Sequence, residues 1–448
     1  MKHKTVLVIG GSDPSGGAGI QTDIKAVTAL GLHAAAIPVC ITVQNTQQVT
    51  GFYPLDVVVV SQQIDAIMED MDISFVKIGM LGSAKVVSLL VEKIKRYQWK
   101  TVLDPVFHST SNDSLSTTEV ISSLKKELIP QSYLVTPNLD EAARITNRSI
   151  HTLEDMKNAG EDIFSLGARY VVIKGGHGKE QQVSDVFFDG NKHRVFTLPR
   201  IQEKKAHGSG CTFSSLITGY LALGIPVDKA VQQAKQVLWM MIKRGYNPGK
   251  GLDVLDVSSG AVASAPYFCS NPEQFTVWNT LSEAIETLPT ILNPSLVPEV
   301  GINIGYALPQ AKTPEDICAL SGRIIKSSSQ ISACGMLRFG ASHHVAAIIL
   351  AAMHSYPQLR SAMNIKYSEE NLAKCEKKGC VISSFDRKNE PASVPSTMEW
   401  GTTQALEHST EIPDMIYDIG SPGKEPMIRI LGSSPKDVVK KLRLIAEK

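Results

Sequence analysis

The chain has 448 residues, and its 45 lysines and arginines nearly balance its 44 aspartates and glutamates. This length predicts two domains, and the lack of a basic surplus argues against nucleic acid as a partner. Seven cysteines without framework spacing indicate reduced thiols, and neither a signal peptide nor a membrane-spanning apolar run is recognised, so we expect a cytoplasmic protein without a membrane partner.

In the first half, short apolar segments alternate with segments of helical period. Strands are predicted at Thr5–Ile9, Ala34–Val43, Phe75–Ile78, Thr101–Leu103, Tyr133–Val135 and Tyr170–Ile173, and helices at Ile20–Leu30, Ala84–Tyr97, Asp140–Ile145 and Thr212–Leu223. The alternation predicts an α/β fold with a doubly wound parallel sheet covered on both faces. Ligands bind such sheets beyond the carboxyl ends of the strands, so we expect the polar residues after each strand to share one site.

A glycine-rich junction precedes the last of these helices. Glycines allow close backbone approach, and the first N–H groups of a helix favour an anion, so Gly208, Ser209 and Gly210 are candidates for binding a phosphoryl group. The same helix end is expected to lower the pKa of Cys211, which makes this thiol a candidate catalytic group that helps to deprotonate a substrate hydroxyl. The alternative is a plain helix cap.

A second glycine loop, Gly10–Gly19, follows the first strand. It carries neither a dinucleotide fingerprint in register nor the ending of a P-loop. These two common nucleotide motifs are therefore excluded.

Seven motifs in order give the first half a specific resemblance. They are GGSDPSGGAGIQTDIKA, TVQNT, VKIGML, LDPV, TPNLDEA, VIKGGH and HGSGCT. Together they resemble the bacterial and archaeal hydroxymethylpyrimidine/phosphomethylpyrimidine kinases of the ribokinase-like superfamily. The resemblance implies a ribokinase-like sheet, with ATP and Mg²⁺ as cofactors in two successive phosphorylations. Sugar kinases of the superfamily usually have aspartate where this chain has Cys211, which points to the pyrimidine branch.

Candidate residues for the nucleotide and the metal follow the strands. Asp104 and Glu141 offer hard oxygen ligands for Mg²⁺, although both also suit solvated caps. Lys174 supplies a point charge for ATP phosphates, and Asn138 an amide for a phosphate or the water shell of the metal. An exposed lysine at a strand end is the alternative for Lys174. The resemblance supports these assignments.

The pyrimidine is expected to bind near the first two strands. Gln44 has both a donor and an acceptor for an aminopyrimidine edge, and Met80 and Val106 supply an apolar wall. Gly11 belongs to the adjoining loop, and Asp23 is similar in position to a family residue that lines the substrate pocket. Met80 is otherwise a core residue, and His207 is expected to pack in its loop, without a catalytic role.

The composition changes around residues 257–274 to small and turn-forming residues. We therefore predict a kinase domain at 1–258, a linker at 259–274 and a second, smaller domain at 275–448. Its apolar runs Gly301–Ile304, Val381–Ser384 and Met427–Leu431, with helices at Ser342–His354 and Pro435–Ala446, predict another α/β unit.

The second half has its own motif series, NIGYALPQA, GRI, RFGASHHVA, AMNIKY, SFDR and DIGSPGKEP. These motifs resemble the archaeal-type thiamine phosphate synthase domain, which is often fused behind this kind of kinase. The resemblance implies coupling of the pyrimidine diphosphate to thiazole phosphate with release of pyrophosphate.

The expected synthase site must hold anionic groups, for which basic side chains are suited. Arg323 and His344 are similar in position to the family's functional pair, and His344 is expected to donate to a phosphate or the leaving group near neutral pH. The further substrate-binding candidates are Arg338, Asp386, Arg387 and Lys424. The alternatives are a structural ion pair between Asp386 and Arg387, a packed histidine at 344 and a simple hairpin before Lys424.

These observations predict a bifunctional enzyme of thiamine biosynthesis, with small-molecule substrates and a homo-oligomeric state. Two alternatives stay open. One is a second domain that binds thiamine phosphates as a non-catalytic sensor, and the other is a first domain that is a pyridoxal kinase of the same superfamily.

Overall fold

The computed structural model describes residues 4–107, 117–176, 181–201, 206–257, 269–327, 330–391 and 396–446. The chain divides into two units, Met1–Tyr267 and Phe268–Lys448. Most of the predicted linker, up to residue 268, and His177 of the VIKGGH motif lie outside the described residues. The last part of the predicted linker contains the start of a helix at Pro272.

The first unit is built on a nine-stranded sheet in the order β3-β2-β1-β4-β5-β6-β7-β8-β9. Its strands are β1 (Thr5–Ser12), β2 (His33–Gln44), β3 (Val49–Pro54), β4 (Ile73–Ile78), β5 (Lys100–Leu103), β6 (Leu134–Val135), β7 (Val171–Ile173), β8 (Gln182–Phe188) and β9 (His193–Pro199). The six strands from β2 to β7 in this order are parallel. The α/β fold class is confirmed.

The sheet differs from the expectation at both edges. β3 pairs antiparallel with β2, and β8 and β9 form an antiparallel hairpin beyond β7. The strands β3, β8 and β9 were not predicted, and they make the sheet mixed at both edges. The reason is that edge strands are half-exposed and mix polar with apolar residues, so they lack the continuous apolar runs of the central strands.

Helices cover both faces of the sheet, and a short parallel pair, β10 (Ala206–His207) and β11 (Asp253–Val254), lies outside it. The helices are α1 (Gly19–Ala29), α2 (Val57–Asp70), α3 (Ala84–Tyr97), α4 (Thr118–Ser123), α5 (Leu139–Thr146), α6 (Leu153–Ser165), α7 (Ser209–Ala222) and α8 (Val227–Lys243). Every residue of α7 from Thr212 onward is buried, and the helix packs against α1 and α8. Its N-terminus is thereby held rigidly at the site described below.

The second unit has a seven-stranded sheet and a separate hairpin, β14–β15. Its elements are α9 (Pro272–Ile291), β12 (Ile304–Ala307), β13 (Ile317–Leu320), β14 (Ile324–Ser327), β15 (Gln330–Ala333), β16 (Leu337–Phe339), α10 (His343–Ser355), β17 (Ser361–Lys366), α11 (Glu369–Lys377), β18 (Ile382–Ser384), α12 (Thr397–Glu407), β19 (Met415–Asp418), β20 (Met427–Gly432) and α13 (Pro435–Ala446). The sheet order is β16-β13-β12-β17-β20-β19-β18, and only β18 and β19 pair in parallel.

Each unit has its own apolar core. In the first unit, one apolar cluster joins a face of the sheet to α2, α3 and α6. In the second, α10 and α12 pack on the sheet. Among the described residues, no helix is both long enough and apolar enough to cross a membrane.

Candidate functional site

A cavity of about 630 Å³ opens at the carboxyl ends of the parallel strands of the first unit. It brings together every residue predicted for the kinase site. These residues are Gly11, Asp23, Gln44, Met80, Asp104, Val106, Asn138, Glu141, Lys174, Gly208, Ser209, Gly210 and Cys211.

The N-terminus of α7 forms one wall of this cavity. Gly208 is the N-cap residue with φ 79°, a left-handed conformation that favours glycine. A Cβ at this position would lie 1.9 Å from the backbone oxygen of Gly17, so the two glycine loops touch here. No side chain caps the helix, and its first N–H groups are available to an anion in the cavity.

Lys174 lies between the two candidate metal ligands. Its Nζ is 2.7 Å from Asp104 Oδ1 and 3.9 Å from Glu141 Oε2. A Cβ on Gly210 would lie 3.2 Å from the same Nζ, which places this charge beside the α7 N-terminus. Although burial works to lower it, the two carboxylates raise the pKa of Lys174, so the ammonium charge is retained.

Asn138 and Glu141 form a capping box at the start of α5. The Glu141 N–H donates to Asn138 Oδ1 at 2.8 Å, and the Asn138 N–H donates to Glu141 Oε2 at 2.7 Å. The cap that was the alternative for Glu141 therefore exists, although this carboxylate is buried and not solvated. It uses one oxygen of each side chain.

Two carboxylate oxygens in this cluster have no hydrogen bond from the described residues, Asp104 Oδ2 and Glu141 Oε1. Mg²⁺ is usually bound by one or two carboxylates together with phosphate oxygens and waters, so the pair fits this ion. Burial, with a further contribution from Asp104, raises the pKa of Glu141 to about 8 against the opposing effect of Lys174. A proton therefore competes with a cation for Glu141 near neutral pH.

The expectation that the helix lowers the pKa of Cys211 is wrong. Burial raises the pKa of this thiol to about 12, which outweighs the opposing effects of Lys77 and the backbone N–H of Gly19. Cys211 still lies in the cavity, at the third residue of α7. It is a neutral thiol there.

The opposite end of the cavity contains the residues predicted for the pyrimidine. Met80 and Cys40 form a small apolar cluster, with Val106 packed against it. A Cβ on Gly11 would lie 3.1 Å from both sulfur atoms, so a larger residue there would crowd this wall. The Gln44 side chain, at the end of β2, lies 2.8 Å from His207 Nε2, so this contact connects β2 to the glycine junction before α7.

Asp23 is fully buried, and protein groups bind both of its oxygens. Lys77 donates to Oδ2 at 2.8 Å and Ser215 to Oδ1 at 2.7 Å. Although burial works to lower it, the Asp23 carboxylate raises the pKa of Lys77. The pair therefore adds a buried, charged lysine to the lining of the cavity.

The second unit has a cluster of cations around one carboxylate, Asp418 at the end of β19. Arg387 binds it with two nitrogens, at 2.6 and 3.1 Å, and Arg429 Nη2 lies 2.7 Å from Oδ2. The backbone N–H of Gly420 also donates to it at 2.8 Å. Although burial works to raise it, these bonds hold the pKa of Asp418 below its ordinary value.

His344 lies in the field of these cations. Burial lowers its pKa to about 4, and Arg429, Arg323 and Arg387 lower it further, against a smaller opposing effect of Asp418. The imidazole is therefore neutral near pH 7 and offers one N–H, so a cationic donor is excluded in the ligand-free protein. His343 beside it is exposed.

Among the described residues, the groups that bind Asp418 do not include the remaining synthase candidates. Asp386 is exposed and caps a short helical turn by accepting from the Lys388 N–H, so the suggested pair with Arg387 is wrong. Arg338 is exposed on β16. Lys424 follows a tight turn, with its Nζ 3.6 Å from Glu390.

Family models match both units. The phosphomethylpyrimidine kinase model matches residues 13–256, and the thiamine-phosphate synthase ThiN model matches residues 280–444. The chain belongs to the phosphomethylpyrimidine kinase family.

Two curated proteins and one solved structure illustrate what this chain is similar to. The bifunctional thiamine biosynthesis protein ThiDN of Methanocaldococcus jannaschii is 36% identical over 98% of both chains. The hydroxymethylpyrimidine/phosphomethylpyrimidine kinase of Rhizobium meliloti is 41% identical over 52% of this chain and 88% of its own. Among solved structures, an ADP complex of Bacillus subtilis pyridoxal kinase is similar, with a TM-score of 0.55, 31% identity and coverage of 58% of this chain and 98% of that one.

Sequence reasoning missed several residues of this phosphomethylpyrimidine kinase site. Lys77 received no role, although a lysine inside an apolar strand is a signal because buried charges need a partner. The apolar wall from β8, β9 and α8, which includes Leu198 and Trp239, was also missed. In the second unit, the same signal marks Arg429 within the apolar run of β20.

Proposed function

We propose that the chain is a bifunctional enzyme of thiamine biosynthesis. The first domain phosphorylates hydroxymethylpyrimidine with ATP, first to the monophosphate and then to the diphosphate. The second couples the diphosphate with thiazole phosphate to give thiamine phosphate and pyrophosphate. The observation that carries this proposal is the alignment over 98% of both chains with a bifunctional relative of that pathway.

In the kinase, the N-terminus of α7 binds the phosphoryl group that is transferred. Lys174 and the backbone N–H groups of 208–210 bind its oxygens. Asp104 and Glu141 would hold Mg²⁺, and this ion would supply positive charge that offsets the charge on the ATP phosphates. As the substrate hydroxyl oxygen bonds to the γ-phosphorus, the bond from that phosphorus to its bridging oxygen breaks and ADP leaves with the electron pair. The hydroxyl proton passes to an oxygen of the transferred phosphoryl group. Because Cys211 is a neutral thiol, we assign it the role of orienting this hydroxyl rather than of a resting base.

In the synthase, the cation cluster binds the diphosphate. The bond from the pyrimidine methylene carbon to the pyrophosphate oxygen breaks, and the thiazole nitrogen bonds to the same carbon. Arg323, Arg387 and Arg429 offset the charge that develops on pyrophosphate, and His344 donates its N–H to the leaving group. The cluster suits this task because Asp418 neutralises only one of the two arginines that bind it.

A single-turnover experiment tests the kinase assignment. The protein is expected to convert hydroxymethylpyrimidine to the monophosphate and then the diphosphate, and Glu141→Gln should lose this activity. Asp140→Asn is the matched control, because Asp140 is the exposed neighbour. Turnover by Glu141→Gln at the control rate would contradict the assignment.

A second candidate for the first domain is a pyridoxal kinase, because a solved pyridoxal kinase resembles its fold at 31% identity. Pyridoxal receives one phosphoryl group, whereas hydroxymethylpyrimidine phosphate accepts a second. Comparison of kcat/KM for the two substrates, with a test for diphosphate, separates the candidates. Preference for pyridoxal without diphosphate formation would favour the pyridoxal kinase.

The proposal includes a cytoplasmic location and a homo-oligomeric state. All seven cysteines are free thiols, as expected in a reducing compartment. The β2–β3 strand pair exposes apolar side chains, namely the paired residues Ile41 and Tyr53 and the neighbouring Val43. This surface suits contact with a second copy of the chain. Light scattering of the wild type and of Tyr53→Lys tests this, and a monomeric wild type would contradict it.

A further inference from the structure

Among the described residues, the Gln44 side-chain amide has two polar neighbours. The structure places Gln44 Oε1 3.2 Å from the Thr42 hydroxyl and Gln44 Nε2 2.8 Å from His207 Nε2. Half a turn of the amide exchanges its oxygen and NH₂, so the protons of the two neighbours decide which end faces which. His207 Nε2 is also 3.3 Å from Asp13 Oδ2. His207 and Asp13 are both buried, with 7% and 2% of their surface exposed, so their hydrogen bonds are shielded from water.

The Asp13 carboxylate determines the proton on His207. Ser15 donates to Oδ1 through its N–H and its hydroxyl, and the Ala18 N–H donates to Oδ2. Burial works to raise the pKa of Asp13, but these bonds and His207 hold this pKa below its ordinary value. An ionised carboxylate only accepts, so His207 Nε2 must carry a hydrogen. The end of the Gln44 amide that faces His207 must then be the carbonyl oxygen.

The Thr42 hydroxyl leads independently to the same orientation. Its single hydrogen is donated to the backbone oxygen of Ser12 at 2.8 Å, so towards Gln44 it can only accept. The amide NH₂ of Gln44 must therefore face Thr42. In the opposite orientation, two donors would meet at His207 and two acceptors at Thr42. Because the oxygen and the NH₂ of an amide have nearly the same shape, these hydrogen bonds decide the orientation of the Gln44 amide.

We propose that His207, held by Asp13, is a specificity-determining positioning residue that fixes the amide orientation of Gln44. This inference rests on the proposed kinase function and on Gln44 as the group that contacts the pyrimidine. With the amide fixed, its second N–H is available to donate to a ring nitrogen of the pyrimidine. The free lone pair of its oxygen is available to accept from the neighbouring amino group of the same ring. The cavity is thereby selective for an aminopyrimidine edge.

An oxo analogue, in which a carbonyl replaces the ring amino group, reverses this donor and acceptor pattern. Binding it requires the opposite amide orientation, which leaves buried polar groups unpaired at both His207 and Thr42. Such unpaired groups correspond to discrimination of about ten- to hundredfold. The wild type is therefore expected to prefer the amino substrate over the oxo analogue by at least this ratio of kcat/KM.

The test measures the amino/oxo ratio of kcat/KM in the full chain. His207→Leu removes one anchor of the amide and Thr42→Val the other, and each should lower the ratio about ten- to hundredfold. His207→Gln offers an N–H again and should restore the ratio. Thr50→Val, a change on the adjacent strand, is the matched control for Thr42→Val and should keep the wild-type ratio.

The outcomes separate the inference from the proposed function. A wild type that phosphorylates the aminopyrimidine, with an unchanged ratio in His207→Leu and Thr42→Val, overturns the inference alone. A wild type that phosphorylates neither pyrimidine overturns the proposed function and the inference with it. If His207→Leu fails to fold, the Thr42→Val measurement decides, because valine has the shape of threonine.

Discussion

Removal of the negative charge on Asp418 is expected to destabilise the second unit strongly. The effect falls mainly on Arg429, whose side chain is fully buried and binds the Asp418 carboxylate. Asp418→Asn keeps the shape but leaves two arginine charges without their counter-ion. Breaking a buried pair in this way costs about 3–5 kcal/mol.

Calorimetry of the full chain measures this effect. For a unit of this size, the expected loss lowers its transition by about 6–20 °C. Hydrogen exchange assigns the transition, since β20 should open more easily while β1 in the other unit is unchanged. Asp386→Asn is the matched control, because that aspartate is exposed and caps only a short turn.

The pH dependence of stability provides a further check on Asp418. Its pKa is lowered in the folded protein, so its contribution is complete above the unfolded value of about 3.9 and is lost as the pH falls through the folded pKa. Asp418→Asn should remove this part of the acid limb. A transition that shifts no more than that of Asp386→Asn would refute the reasoning.

Three further predictions concern the kinase site. Because a proton competes at Glu141, the apparent affinity for Mg²⁺ in ATP turnover should rise as the pH rises through about 8, and a flat response would contradict the raised pKa. Alkylation of Cys211 at neutral pH, followed by peptide mass spectrometry, should be slower than that of the exposed Cys334, since only a thiolate reacts. Asp104→Asn should lower kcat at least about a hundredfold, and a rate near that of the Asp140→Asn control would argue against its role.

The sequence predicted the elements that carry strong local signals. The bounds of α3 are as predicted, because Ser83 caps a helix with a continuous apolar stripe. The residues after the central strands share one cavity, as the topology of a parallel sheet requires. Edge strands such as β9 were missed because their exposed faces disrupt the pattern.

The wrong expectation for the pKa of Cys211 has a physical cause, which is desolvation. A helix N-terminus stabilises a nearby anion by only about 0.3–1 kcal/mol, and burial at Cys211 acts in the opposite direction with greater effect. Burial beside three arginines also keeps His344 neutral near pH 7, so it offers one N–H instead of two. Burial and long-range pairs such as Asp418 with Arg429 depend on the complete fold, so local sequence cannot supply them.

One reaction tests the central claim most directly. The full chain is incubated with hydroxymethylpyrimidine, ATP, Mg²⁺ and thiazole phosphate, and thiamine phosphate is followed by mass spectrometry. The wild type should form thiamine phosphate, the double variant Arg323→Ala, His344→Ala should stop at pyrimidine diphosphate, and Arg443→Ala, an exposed arginine, should match the wild type. Accumulation of the diphosphate by the wild type would contradict the synthase assignment, and absence of any phosphorylated pyrimidine would contradict both.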